Sequence, residues 1–455
     1  MAVKREYFGS RAAVIMSMAG SAIGLGNIWR FPYIVGEHGG AAFILIYILA
    51  TVLISLPVFV AEVTIGRRSR LSAYGAMPAL RPGKKIWRFA GILAILIPLL
   101  ITSYYSVIGG WSLDFLFRSC TGEFVRSEPE KVTSIFGSFI SSSWAPVAMH
   151  LLFLATSCFI VAHGVKSGIE KFSKISIPVL FFLILGMTVY SISLPGASAG
   201  VSYLIKPDFS QINAETCAYA LGQSFYSLSL GMGAIITYGS YINSKEDIVG
   251  SGAGTAIADM SFALLAGFAI MPAVFAAGIE PGAGPGLIFQ SIPYIFSSIG
   301  TELPVLSTII SIMFFFSIVV AAMTSCISLL EVGVSFLFEK FNIGRKAGCL
   351  LLFLLCGGLG VVCSLSFGPL SGFTIADKNI FDMFDWFCSN VLLLALALLV
   401  VIFVGFVMKK EDVREEITNG GLNTRNKKIF PFVYFSIRWI APLAIVAIFI
   451  TNIIF

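Results

Sequence analysis

The chain has 455 residues, of which 57% are hydrophobic and only 12% charged, with a net charge of +6 and a mean hydropathy of +0.92. Such a composition excludes a soluble globular domain and describes an all-α polytopic membrane protein. The positive balance is a topology signal, because basic residues collect on the cytoplasmic side of a bilayer, and it gives no ground for nucleic-acid binding.

Apolar stretches of about 20 residues, enough to cross roughly 30 Å of hydrocarbon, occur at 11–35, 40–64, 88–118, 144–163, 170–192, 216–240, 246–277, 304–338, 346–364, 377–407 and 429–454. This predicts eleven spans. Most basic residues fall on one side if the N-terminus is cytoplasmic, the densest groups being Arg67 to Arg88 and Lys409 to Lys428. An odd number of spans then puts Phe455 outside, in a cell inner or plasma membrane. Lys4, Arg5 and the apolar stretch after Arg11 also fit a signal peptide, but the stretch continues unbroken into Ile23 to Val35 and is read as a span.

The first span carries GSAIGLGNIWRFP at residues 20–32, where three glycines interrupt an apolar helix. Free backbone groups at membrane depth each cost several kcal/mol unless they line a cavity or hold a ligand, so the interruption marks a site. The sixth span repeats the device at Leu230-Gly231-Met232-Gly233. Interruptions at matching places in two halves point to an inverted-repeat carrier with its site at the bilayer midplane. The predicted organisation is a cytoplasmic segment 1–10, a first repeat 11–192, an extracellular loop 193–215, a second repeat 216–407, a cytoplasmic connector 408–428 and a last span 429–455.

Between the spans, Cys120 to Ser143 reads as a polar outer loop. Pro281 to Pro304, rich in Pro and Gly yet apolar, reads as a lid folded onto the membrane surface. The eight cysteines lack metal-ligand spacing, Cys120 is the one outer thiol, and no structural disulfide is expected. With three histidines and no nucleophile and base suitably spaced, neither a metalloenzyme nor another membrane enzyme is expected.

GSAIGLGNIWRFP closely resembles the signature of the neurotransmitter:sodium symporters, and the likeness extends along nearly the whole chain. SYYSVIGGW at 103–111, GQSFYSLSLGMGAIITYGSY at 222–241, AAMTSCISLLE at 321–331 and FDMFDW at 381–386 carry it. The eleven spans look like the shorter bacterial branch, whose members import amino acids. The resemblance implies a 5+5 inverted repeat, discontinuous first and sixth spans, and sodium at two sites as the coupling ion, with no organic cofactor.

A zwitterion needs donors for its carboxylate and acceptors for its ammonium, and an unwound helix supplies both. By resemblance, the Leu25 and Gly26 amides and the Tyr105 hydroxyl take the carboxylate, and the Ala22 carbonyl takes the amine. Ile101, Tyr226, Ser229, Met232, Ser325 and Leu329 would line the side-chain pocket. One sodium would be held by Ala22, Asn27, Ser227 and Asp259 together with the substrate carboxylate. The other would be held by Gly20, Ile23, Ala321, Thr324 and Ser325. Sodium favours such hard oxygens.

Asp259 stands where the bacterial leucine-carrying relatives have an amide. A fixed carboxylate beside the ion can replace chloride, so chloride-independent transport is expected. Met232 and Tyr226 replace two phenylalanines of those relatives, and an unbranched thioether adapts its shape more readily than a ring, which favours a hydrophobic or aromatic substrate. Arg30 with Asp385, and Arg5 with Glu339, are expected as outer and inner gate pairs, with Ser240 and Tyr241 at the inner gate. Glu62 is expected to support the unwound part of the sixth span and Gln223 to order the outer gate, while Glu331 has no firm assignment, a wetted exit path being one reading. The expected partners are a small neutral amino acid and the lipid bilayer, with the oligomeric state open. Two alternatives keep the same ligands: a sodium-dependent carrier of another small amine, and a sensor that binds an amino acid without moving it.

Overall fold

The computed structural model describes residues 6–278 and 287–454. Among them nine helices are long and apolar enough to cross a membrane, and a bent pair makes ten. The pair comprises α1 (Arg11–Ala22) and α2 (Gly26–Glu37), set at 57° to one another. The continuous helices are α3 (Ala41–Ser69), α4 (Lys85–Thr121), α5 (Ala145–Ala162) and α6 (Val165–Ser193) in the first half. In the second half α9 (Ile248–Ala276), α10 (Pro304–Phe341), α11 (Arg345–Leu365) and α12 (Ile380–Val407) follow the broken pair α7 (Ala214–Ser227) and α8 (Ala234–Gly239). A short connector helix α13 (Lys410–Thr418) leads to α14 (Thr424–Asn452).

The pieces α7 and α8, 14 and 6 residues long, are each too short to span. That is why the expected count of eleven is not reached by length alone. The other boundaries differ from the expected ones by a few residues. At the start of α14 an Asn423 cap on the Asn426 amide begins the helix inside the polar connector.

Two regions read as loops are more ordered than their polarity suggested. Residues Glu123–Arg126 and Pro129–Ile140 are helical, and they bury Phe124, Phe136 and Phe139. Of the expected lid, residues 281–286 lie outside the described ones, while Leu287–Ser291 and Ile292–Gly300 form a helix. Its Phe289 lies face to face with Phe136 at 5.0 Å and edge-on to Phe115 at 5.2 Å. The outer segments are thus sealed to each other by aromatic packing, which explains why sequences poor in regular apolar period still fold there. All eight cysteines are free thiols, with Cys120 exposed.

Candidate functional site

The two breaks face each other at the centre of the bundle. At the first, Ile23 leaves the helix with ψ 104°, and the chain re-enters helix through a wide turn at Gly26–Arg30, with Pro32 in the first turn of the regular α-helix that follows. At the second, Ser229, Gly231 and Gly233 all take positive φ, of 55°, 72° and 72°. That backbone suits glycine and is costly for Ser229. Glu62, fully buried on α3, accepts the freed Gly231 amide at 2.7 Å. The Ser229 hydroxyl crosses to the first break and donates to the Ser21 carbonyl at 2.8 Å.

The freed groups of the first break are met by side chains from two other helices and by Asn27 of its own outer piece. The Leu25 amide donates to the Tyr105 hydroxyl at 3.2 Å, and the Gly24 amide to Asn27 Oδ1 at 3.1 Å. Gln223 Nε2 donates to the Gly26 carbonyl at 3.1 Å, so this residue braces the break itself and stands beside the outer gate only through it.

Buried Asp259 is the anionic centre of one oxygen cluster. Its Oδ1 accepts from Asn27 Nδ2 at 2.7 Å, and its Oδ2 from Ser227 Oγ at 2.6 Å and from the Tyr47 hydroxyl at 3.4 Å. A second cluster lies under the first break. Thr324 Oγ1 donates to Ala321 O at 2.9 Å and to Ile23 O at 3.2 Å, while Ser325 Oγ donates to Ser21 O at 3.2 Å. Gly20 joins this cluster, since a Cβ there would sit 3.1 Å from Ser173 Oγ and 3.6 Å from Thr324 Cβ. No group of three or more His, Cys, Asp or Glu suited to a metal occurs among the described residues. The two clusters consist instead of hydroxyl, amide, carbonyl and a single carboxylate oxygen, a hard set suited to an alkali cation.

Between the clusters lies a cavity of about 30 Å³ lined by Ala22, Gly26, Ile101, Tyr105, Tyr226, Ser229, Met232, Ser325 and Leu329, with Ser21, Gly24 and Ser328. Only water fits such a volume in this conformation. A chamber of about 350 Å³ lies directly above it, and Gly26, Tyr105 and Tyr226 line both. Leu25 faces this outer chamber.

The outer gate pair is parted. Arg30 and Asp385 both line the outer chamber, where the Arg30 guanidinium rests 4.9 Å from the Tyr226 ring centre and Asp385 accepts from Ser389 Oγ at 3.1 Å. The opposite end is sealed. The Phe8 amide donates to the Tyr241 carbonyl at 3.1 Å, and the Phe8 ring packs edge-on against Tyr238 and Tyr241. Glu339 accepts from the Ser72 amide at 2.8 Å, and Arg5 lies outside the described residues.

Glu331, which the sequence leaves without a firm assignment, lies in a buried charge pair. It is fully buried, pairs with Arg345 at 2.5 Å and accepts from the Tyr241 hydroxyl at 2.6 Å. A buried carboxylate requires such partners, and Arg345, at the start of α11, supplies the opposite charge. Sequence reasoning missed Ser21, Tyr47 and Ser328. Ser21 lies inside the glycine-rich signature, whereas nothing in the chain around Tyr47 marks it.

A membrane bundle with two facing helix breaks, hard-oxygen clusters beneath them, one end open and the other sealed has the architecture of an alternating-access carrier. The family model for the sodium:neurotransmitter symporter family matches residues 5–132 and 123–455. The chain belongs to this family, whose members are sodium-dependent transporters and not enzymes. It is 36% identical over 451 residues to an uncharacterized sodium-dependent transporter of Bacillus subtilis, covering 98% of this chain and 97% of that one. A counterpart from Haemophilus influenzae is 35% identical over 462 residues, covering 99% and 98%. Among solved structures, MhsT in complex with L-phenylalanine superposes with a TM-score of 0.89 at 40% identity, covering 99% of this chain and all of that one.

Proposed function

We propose that this transporter imports a neutral hydrophobic or aromatic amino acid with sodium, independently of chloride, through eleven spans with the N-terminus cytoplasmic. The likeness to MhsT, solved with L-phenylalanine, supports the substrate class. The arrangement at the first break carries the reading. The Leu25 amide and the Tyr105 hydroxyl converge on one point, and the Asn27, Ser227 and Asp259 cluster adjoins it. A substrate carboxylate there meets donors on one side and a bound cation on the other. The Ala22 carbonyl, which lines the small cavity, takes the ammonium.

In this reading Asp259 supplies the negative charge that would otherwise come from an anion. Met232 and Tyr226 move apart to enlarge the pocket as the substrate descends from the outer chamber. Substrate binding completes one sodium shell and favours closure of Arg30 onto Asp385. The test is uptake of labelled phenylalanine, leucine and tyrosine into proteoliposomes under an inward sodium gradient, with chloride or with gluconate. Accumulation that needs sodium and is equal in both anions is expected. Loss of uptake in gluconate would overturn chloride independence, and saturable binding without accumulation would favour the sensor.

A further inference from the structure

The cations at the N-terminal end of the bundle fall into two groups. On one side three arginines pair with acids: Arg67, only 2% exposed, with Glu416 at 2.6 Å, Arg68 with Asp412 at 2.7 Å and Arg425 with Asp247 at 2.5 Å. On the other side stand Arg81, Lys84, Lys85 and Arg88, in a stretch with no acidic residue between Glu62 and Asp114. All four are exposed, and none of their side chains has a hydrogen bond, ion pair or ring contact among the described residues. Three acids of α13, Asp412, Glu415 and Glu416, are held by Arg67 and Arg68.

The start of α4 is held in one rotation. Trp87 is buried edge-on against Phe403 at 4.7 Å, and Gly91 packs against the Tyr74 backbone. With that face turned inward, Ile86, Phe89 and Ile92 point outward at 48%, 51% and 52% exposure. The four cations sit at the end of a membrane-crossing helix, directly beside apolar side chains that face the lipid.

We propose that Arg81, Lys84, Lys85 and Arg88 form a docking site for the headgroup of an anionic phospholipid. The two guanidinium groups grip the phosphate in bidentate fashion, the two ammonium groups add point charge, and an acyl chain runs along Phe89 and Ile92. Charge complementarity favours an anionic occupant, and the lipid-facing apolar edge selects a lipid over a free anion.

Native mass spectrometry of the full chain, titrated with phosphatidylglycerol or phosphatidylcholine, tests this. Preferential retention of phosphatidylglycerol is expected. Each of R81Q, K84Q, K85Q and R88Q should weaken retention about fivefold, since a basic residue near an anionic surface contributes roughly that factor. K427Q and K428Q, which remove equal charge elsewhere, should leave it unchanged. Melting temperature gives a second readout, with phosphatidylglycerol raising it for the parent chain and not for the quadruple variant. Equal retention by parent and quadruple variant, or displacement of the lipid by millimolar inorganic phosphate, would overturn the proposal.

Discussion

The two breaks do the same thing to a helix by different means. The second is written into its own backbone: three positive φ angles within five residues and one buried carboxylate on the Gly231 amide fix its path. The first has no left-handed residue, and its freed amides are held by Tyr105 and Asn27, side chains that can exchange the backbone for a ligand. The site thus joins a rigid wall to an adaptable one. Binding energy can reorganise the first break without having to refold the second.

The largest effects should come from forcing a side chain into each. At Gly231, a Cβ would press on the Leu393 carbonyl in addition to the strain of φ +72°, which alone costs roughly 1–2 kcal/mol. Gly231→Ala should therefore lower the melting temperature and the folded yield. At Gly24, a Cβ would meet Tyr105 Oη at 2.9 Å and the Ser325 hydroxyl. Gly24→Ala should keep the fold, as read by melting temperature, and reduce amino-acid affinity by about a hundredfold or more, the equivalent of ~2.7 kcal/mol. If both variants simply unfolded, the distinction between a rigid and an adaptable break would fail.

Asp259→Asn sharpens the comparison at the oxygen cluster that both breaks share, the proposed sodium site. Removing the charge leaves Ser227 and Asn27 with a neutral partner, and a charge-assisted contact is worth about 1.5–3 kcal/mol. Sodium affinity should fall at least about tenfold, measured as the sodium concentration giving half-maximal uptake. Tyr105→Phe should act more gently. It removes one neutral hydroxyl at the Leu25 amide, a loss of ~0.5–1.5 kcal/mol, so substrate affinity should drop about two- to tenfold with sodium affinity little changed.

Why these positions were legible follows from chemistry that must sit close together in the chain. Gly20, Gly24 and Gly26 mark the first break because the backbone there has to be bare, and Gly231 and Gly233 mark the second because their φ angles demand it. Span lengths are equally visible, since hydrocarbon thickness sets them. Tyr47 escaped notice because a tyrosine amid an apolar helix looks like filler, and only the fold brings its hydroxyl within 3.4 Å of Asp259. Glu331 had no assignment for the same reason: an isolated acid announces a partner without naming it, and Arg345 reaches it only after a turn between two helices. The outer segments hid their helices because their apolar faces pack on each other and not on lipid.

The smallest expected effect lies outside the membrane, where the ends of α3 and α9 meet α13 and α14. Burial opposes ionisation of Asp247, but the Gly250 amide at 2.9 Å, Asn426 at 2.7 Å and the Arg425 guanidinium outweigh it and hold the carboxyl below its ordinary range. A carboxyl depressed in the folded state contributes stability above its unfolded pKa of about 3.9, and that contribution is lost as pH falls through the lower folded value. Melting temperature should therefore decline on acidification below about pH 4 less steeply in Asp247→Asn than in the parent chain. The substitution keeps an acceptor for the Gly250 amide, so the helix cap survives while the ionic part is removed. At neutral pH the variant should melt slightly lower than the parent and transport at the same rate, because the capping contact stands apart from both breaks. A matching loss of transport would instead mean that this end of the bundle moves with the site.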